Sequence, residues 1–159
     1  GQQNYVFKRL AVVGAAAPVA ARLARLVQGG SDTVIVNSTA DADAILTLSE
    51  GRSQGVLVLN TLGIAEEYQL NYSLSYHLVG ADGTVLIPPS AIVLDRSLTY
   101  SEKYSLGKAQ ESDLLYADMQ NDAVDQLTRR LAVVRSLHPA PGEQVPAVAP
   151  RAPLPPPPL

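Results

Sequence analysis

The sequence is poor in the residue types on which most catalytic and metal-binding sites depend. Its 159 residues include no cysteine and only two histidines, His77 and His138. The absence of cysteine excludes disulfides, thiol catalysis and zinc sites with cysteine ligands. Charged residues make up only 17% of the chain, and its net charge of −3 argues against general nucleic-acid binding, for which a basic surface is expected. No apolar run approaches the length of about 18 residues that a transmembrane helix requires.

No motif in the sequence indicates catalysis. His77 falls among the polar positions of a predicted strand, so we expect it to face solvent. Asp41 and Asp43 offer two carboxylates, but no third ligand lies nearby, and a polar turn explains them better than a metal site does. The sequence contains neither a glycine-rich phosphate loop nor a nucleophile elbow. It therefore predicts a protein that is not an enzyme and that uses no metal or cofactor.

The distribution of proline divides the chain into a body and a tail. Nine of the 12 prolines lie in residues 139–159. We therefore predict one domain over residues 1–138 and a flexible, proline-rich tail over residues 139–159. The spacing from Pro153 to Pro156 fits a polyproline II ligand, but an extended spacer accounts for the same composition.

The first half of the body predicts a strand, a helix and a further strand region. Residues 4–13 are rich in β-branched and aromatic side chains, which favours a strand. Pro18 stands where a helix can begin, and Gly29 and Gly30 end a stretch with apolar residues at helical spacing. Residues 41–61 hold two short apolar runs separated by glycines, which predicts a bent strand or a hairpin.

The clearest pattern in the chain is an alternation of apolar and polar residues from Glu67 to Val79. One parity carries tyrosine and leucine, and the other carries polar side chains, which predicts a strand with one buried and one solvated face. A turn at residues 81–83 leads into a return strand over residues 84–100. Pro88 and Pro89 interrupt the return strand and predict an edge or a bulge.

The second helix is predicted over residues 108–135. Its apolar residues recur every four positions, with acidic residues near its start and arginines near its end. The order of elements is then β-α-β-β-β-α. Strands with one wet face and two amphipathic helices imply an α+β two-layer sandwich, in which a mixed, mostly antiparallel sheet of about four strands packs against two helices.

Two basic residues occupy unusual positions for their charge. Arg96 shares its parity with apolar residues of the return strand, where an arginine is costly unless it is paired or reaches solvent at an edge. The alternatives are such an edge residue, a bulge that flips the register, or an anion contact. Lys108 stands at a helix start, where a cation opposes the dipole, and is either an ordinary surface lysine or a contact for an anionic ligand.

The second half of the body resembles a known family. The segment EEYQLNYSLSY, the VLIP of residues 85–88, Arg96 followed by serine, and Lys108 three residues before Glu111 are similar to the lipopolysaccharide-assembly lipoproteins of the LptE (RlpB) family. The resemblance covers residues 4–134 and rests on order, spacing and length rather than on one motif.

This resemblance implies a fold and a function. A member of the family would be a non-enzymatic lipoprotein, anchored at the periplasmic side of the outer membrane through a cysteine that this sequence does not contain. It would plug the β-barrel LptD, bind lipopolysaccharide and assist its assembly into the outer leaflet. The alternative is a generic periplasmic adaptor lipoprotein that contacts other envelope components.

The resemblance also suggests where lipopolysaccharide binds. Lys108 occupies the place of a basic residue ahead of the last helix that contributes to binding in the family. The family has another basic position before the long strand, whereas residues 59–63 here contain none. Arg52 or Arg96 is a candidate to take over that role. The expected ligand-binding residues are therefore Lys108, Arg96 and Arg52.

Overall fold

A five-stranded mixed sheet with two helices on one of its faces forms the body of the protein. The computed structural model describes residues 3–99 and 105–148. Its elements, in chain order, are β1 (Arg9–Val13), α1 (Ala17–Gly30), β2 (Val34–Val36), a 3-10 turn (Thr39–Asp41), β3 (Ala44–Leu59), β4 (Ala65–Gly80), β5 (Val85–Thr99) and α2 (Ser105–Leu131). The predicted two-layer α+β architecture is confirmed, with one strand more than expected.

The strand order in the sheet is β2-β1-β3-β4-β5. The first strand, β1, is parallel to both β2 and β3, whereas β3, β4 and β5 form antiparallel pairs. The additional strand, β2, has three residues, too few for an alternating pattern to be recognised. Residues 41–61 contribute the single strand β3 rather than a hairpin, because Gly51 and Gly55 stay in the ladder opposite Ser73 and Gln69.

The predicted alternation in β4 is confirmed, and its tyrosine-leucine face lies under the helices. Leu70, Tyr72, Leu74, Tyr76 and Leu78 are all at most 2% exposed. They join a hydrophobic core that α1 and α2 complete, α1 with Val19, Leu23 and Val27, and α2 with Met119, Ala123, Val124, Leu127 and Leu131. Both helices therefore cover the same face of the sheet, and no described helix or strand of residues 3–99 and 105–148 covers the opposite face.

The second helix begins and ends earlier than the pattern predicted. It runs from Ser105 to Leu131 rather than over 108–135, so Arg135 lies beyond its end. The chain leaves the helix through tight turns, in which the amide of Val133 donates to the carbonyl of Arg130 and that of Val134 to the carbonyl of Leu131. Within the described ranges, neither helix has the length and apolar character needed to cross a bilayer.

The proline pair lies at an edge of the sheet, as predicted. Strand β5 is the last in the strand order, and its pairing with β4 shifts between Tyr76 and Leu78, opposite Pro88 and Pro89. Just after the prolines, the amide of Ala91 donates to the carbonyl of Val148 at 2.7 Å, and the amide of Val148 donates to Ser90 Oγ at 3.0 Å. The segment after α2 therefore runs along the outer edge of β5.

Candidate functional site

The predicted ligand-binding residues lie along α2 rather than in one cluster. Arg52 and Arg96 stand on the helix-covered face of the sheet, on β3 and β5, separated by β4 and thus by about 10 Å. The N-terminal half of α2 runs between them, because Arg52 contacts Tyr116 and Arg96 contacts Asp118. Lys108 precedes Tyr116 by eight positions, which is about 12 Å along the helix axis.

Arg96 is engaged by carboxylates of the protein itself. Its Nη2 lies 3.4 Å from Asp118 Oδ2 and 3.5 Å from Asp122 Oδ2, and its Nη1 donates to the carbonyl of Asp95 at 2.8 Å. The side chain is 33% exposed at the edge strand, so its charged group reaches solvent although the residue stands on an apolar face. An anion that approached Arg96 would have to compete with both carboxylates.

Arg52 keeps its charge available to a ligand. Its guanidinium carbon lies 4.9 Å from the centroid of the Tyr116 ring, in a cation–π contact. Across residues 3–99 and 105–148, no carboxylate lies within ion-pair distance of Arg52. The Tyr116 hydroxyl donates to the carbonyl of Ser53 at 2.8 Å, which holds the ring in place. The stacked guanidinium retains its edge N–H groups, the geometry that suits phosphate.

Lys108 lies in the first turn of α2, which begins at Ser105. Its side chain falls outside the described residues, so its role stays a prediction. That first turn carries no acidic residue. The free amides of a helix N-terminus and a nearby lysine both favour an anion.

A polar cluster that the sequence pattern did not predict lies beneath α2. Glu50 Oε2 accepts hydrogen bonds from the Tyr72 hydroxyl at 2.6 Å and from Gln120 Nε2 at 2.8 Å. Burial, followed by the hydrogen bond to Glu50 and its negative charge, raises the pKa of Tyr72 well above its usual value, so this tyrosine stays neutral and donates. The sequence does carry a sign of this cluster, because Glu50 shares its parity with Leu46 and Leu48 and therefore points to the same face of the strand. Arg96 likewise shares its parity with apolar residues.

The β3–β4 hairpin ends in an exposed apolar tip, which the sequence pattern did not predict either. The apolar tip comprises residues 56–64, and its side chains Val56, Leu57, Val58, Leu59, Leu62 and Ile64 are 40–81% exposed. Asn60 shapes the turn, because its Oδ1 accepts from the amides of Leu62 and Ile64 at 2.8 and 3.0 Å. Exposed apolar patches of this kind mark contacts with partners or lipid.

The carboxylates considered for a metal have a structural role. Asp43 Oδ2 accepts from the amides of Lys8 and Arg9 at 2.8 and 3.1 Å, which ties the start of β1 to the segment before β3. Asp41 belongs to the predicted polar turn. The part of the chain that the structure describes contains no group of three histidine, aspartate or glutamate side chains arranged for a metal ion.

The arrangement at this end of the sheet combines cations with apolar surface. Arg52 stands four residues before Val56 on β3, on the same face and about 13 Å away. Lys108 lies in the first turn of α2, the helix whose N-terminal half lies between Arg52 and Arg96. Such a surface suits an amphipathic anion with an extended apolar part.

Comparisons with known proteins agree with the predicted resemblance. The family model LptE, described as lipopolysaccharide-assembly, matches residues 7–131. No curated protein sequence matches the chain. Among solved structures, the uncharacterized lipoprotein B of Nitrosomonas europaea is 28% identical, with a TM-score of 0.71 over 84% of this chain and 88% of the other.

Two further solved structures share the fold. Rare lipoprotein B of Shewanella oneidensis is 21% identical with a TM-score of 0.64 and coverage of 78% and 93% of the two chains. The minor lipoprotein of Acinetobacter baumannii is 18% identical with a TM-score of 0.65 and coverage of 80% and 92%. Because the family model spans most of the sequence, the chain belongs to the LptE family and is a non-enzymatic protein of lipopolysaccharide assembly.

Proposed function

We propose that this protein is a lipoprotein of the outer membrane, anchored on its periplasmic side, that forms a complex with the β-barrel LptD and plugs it. In this complex it binds lipopolysaccharide and assists its assembly into the outer leaflet. Membership in the LptE family supports this role, as does the similarity to a lipoprotein of Nitrosomonas europaea. The proposal requires no nucleic acid, metal or cofactor.

The observation that carries the proposal is the position of Arg52 near the apolar tip. Lipid A is a phosphorylated glycolipid, so its binding site needs cations beside apolar surface. Arg52 offers a guanidinium that is stacked on Tyr116 and unpaired with any described carboxylate. The apolar tip offers exposed side chains for acyl chains. Charge-assisted contacts to phosphate and burial of apolar surface would then act together.

The three basic residues should contribute differently to lipopolysaccharide binding. Arg52→Ala is expected to weaken binding about tenfold, since a hydrogen bond to a charged group contributes about 1.5–3 kcal/mol and this site is exposed. Lys108→Ala is expected to act in the same direction. Arg96→Ala is expected to have a smaller effect, because Asp118 and Asp122 already neutralise Arg96.

The affinity of each surface-captured variant for purified lipopolysaccharide is measured. Arg25→Ala is the matched control, because Arg25 is exposed on α1 and lies away from this end of the sheet. Asp118→Asn with Asp122→Asn frees Arg96, and increased affinity in that variant would assign Arg96 to the site. Equal affinities for Arg52→Ala, Lys108→Ala and the control would remove both residues from the binding site.

Co-purification tests the LptD complex separately. The lipidated precursor, tagged at its C-terminus, is produced with LptD of the same species, extracted in mild detergent and captured. A stoichiometric complex that resists heating supports the plug. Absence of a complex with folded, lipidated protein contradicts it and favours a generic periplasmic adaptor that contacts other envelope components.

A further inference from the structure

The side of the sheet that faces away from the helices is depleted in charge. This open face consists of the odd-numbered residues of β3 from 47 to 55, of β4 from 69 to 77 and of β5 from 91 to 97. Among these described residues, Asp95 is the only aspartate, glutamate, lysine or arginine. The others are mostly serine, threonine, asparagine, glutamine and glycine. Exposed charges stand on the helices, for example at Arg25, Asp118 and Arg129, and on segments outside the open face, such as Lys8 and Asp41.

A solvated protein surface is normally rich in lysine and glutamate, and their depletion is typical of the centre of an interface. The open face has short side chains as well. Gly51 pairs with Ser73, and a Cβ at position 51 would lie 2.7 Å from Ser73 Oγ. A depression of about 320 Å³ lies at this point and is lined by Gly51, Arg52, Ser53, Asn71, Ser73 and Val93. A partner can therefore approach the backbone of β3 and β4 closely.

The open face is large enough to form part of a protein interface, and it is rigid. Its strands span about 27 Å in length and about 14 Å in width, or about 400 Å². That is about half of what one partner contributes to a standard interface. The ladder from Thr47 to Gly55 is regular, and Asn71 Nδ2 donates to Ser53 Oγ at 3.2 Å across it. The face therefore presents a pre-formed array of hydroxyls and amides.

We infer that the open face lies against the polar inner wall of the partner β-barrel, with the helix layer directed into the lumen. This inference rests on the proposed function. The lumen of an outer-membrane barrel is lined by polar side chains. Hydroxyl and amide groups can exchange hydrogen bonds with such a wall and bury almost no unpaired charge, which would be costly. The charged helices keep their hydration in the lumen.

Site-specific photocrosslinking in the purified complex with LptD tests this orientation. A crosslinking residue at Ser75 or Ser97 is expected to yield an adduct with LptD at least tenfold more abundant than one at Arg25 or Asn121 on the helices. Equal or stronger adducts from Arg25 and Asn121 in an intact complex overturn the orientation but leave the proposed function standing. Failure of the unmodified protein to co-purify with LptD overturns both.

A charge-insertion pair provides a second measurement that does not depend on crosslinking chemistry. Ser75→Lys is expected to reduce the yield of complex at least tenfold, whereas Asn121→Lys, also at an exposed position but on α2, is expected to leave it unchanged. Thermal melts followed by circular dichroism establish that both variants fold. Wild-type yield with folded Ser75→Lys contradicts burial of the open face.

Discussion

Arg22 of α1 and Asp125 of α2 form a two-pronged ion pair that joins the two helices. Arg22 Nε donates to Asp125 Oδ1 at 2.9 Å, and Nη2 donates to Oδ2 at 3.0 Å. The side chains are 27% and 37% exposed, so solvent screens the pair only in part. Bidentate geometry of this kind is the strongest form of an arginine–carboxylate contact.

Removal of this pair should loosen the helix layer. Arg22→Ala is expected to lower the free energy of unfolding by about 1 kcal/mol, the upper range for a partly exposed pair. Urea unfolding of Arg22→Ala, Asp125→Ala and the double variant measures the coupling. Arg25→Ala, an exposed arginine one turn away, should leave stability unchanged. A coupling near zero would show that the pair does not stabilise the helix contact.

Removal of the Glu50 carboxylate should lower the free energy of unfolding more than removal of the Tyr72 hydroxyl. Glu50→Ala leaves the buried hydroxyl of Tyr72 and the amide of Gln120 without their acceptor, and is expected to cost about 2–3 kcal/mol. Tyr72→Phe removes one donor and is expected to cost about 1 kcal/mol. In urea unfolding, the double variant should lose less free energy of unfolding than the two single variants lose together. Strict additivity would contradict a shared network.

The raised pKa of Tyr72 predicts loss of stability in alkaline solution. In the unfolded chain this tyrosine ionises near pH 10.0, whereas burial and Glu50 keep it protonated in the folded state. Above that pH the unfolded state binds fewer protons than the folded state, so the free energy of unfolding falls as pH rises. Urea unfolding between pH 8 and pH 11 should show a shallower decline for Tyr72→Phe. Burial also raises the pKa of Tyr5, so part of the decline remains.

Side-chain periodicity predicted those elements whose environment is set locally. The alternation in β4 identified its buried face because the period of two appears in the strand itself, and the proline pair identified an edge. The partners of Arg96 could not be predicted, since Asp118 and Asp122 lie more than 20 positions away in the sequence. They reach Arg96 only because of the way α2 is rotated about its axis on the sheet.

The exposure of the apolar tip could not be predicted from its sequence either. Residues 56–59 form a continuous apolar run, which is typical of a strand buried on both faces. In the structure the hairpin extends beyond the helix layer, so these side chains are exposed. Burial of such a run depends on which element covers it, and that information is not contained in the run itself.

Two glycines with nearly the same backbone conformation should respond differently to substitution. Gly14 has φ +83°, and a Cβ there would lie 2.3 Å from the Leu48 carbonyl oxygen, whereas Gly63 has φ +78° with open space around it. Gly63→Ala is expected to cost about 1–2 kcal/mol for the left-handed backbone alone. Gly14→Ala adds a backbone displacement and is expected to cost more than about 3 kcal/mol. Similar unfolding free energies for both variants in urea would contradict the close approach at Leu48.

The apolar tip should serve binding rather than folding. Substitution of Leu57, Leu59 and Leu62 by serine removes side chains that are 51%, 59% and 81% exposed, so the free energy of unfolding is expected to change by less than about 0.5 kcal/mol. Binding to lipopolysaccharide or to the LptD complex is expected to fall at least tenfold, because this surface would be buried only in the bound state. Val85→Ser with Val133→Ser, at positions that are 47% and 55% exposed elsewhere, is the matched control for general surface hydrophobicity. If both variants bind alike, the apolar tip contributes no specific contact, and its exposure then reflects the length of the hairpin alone.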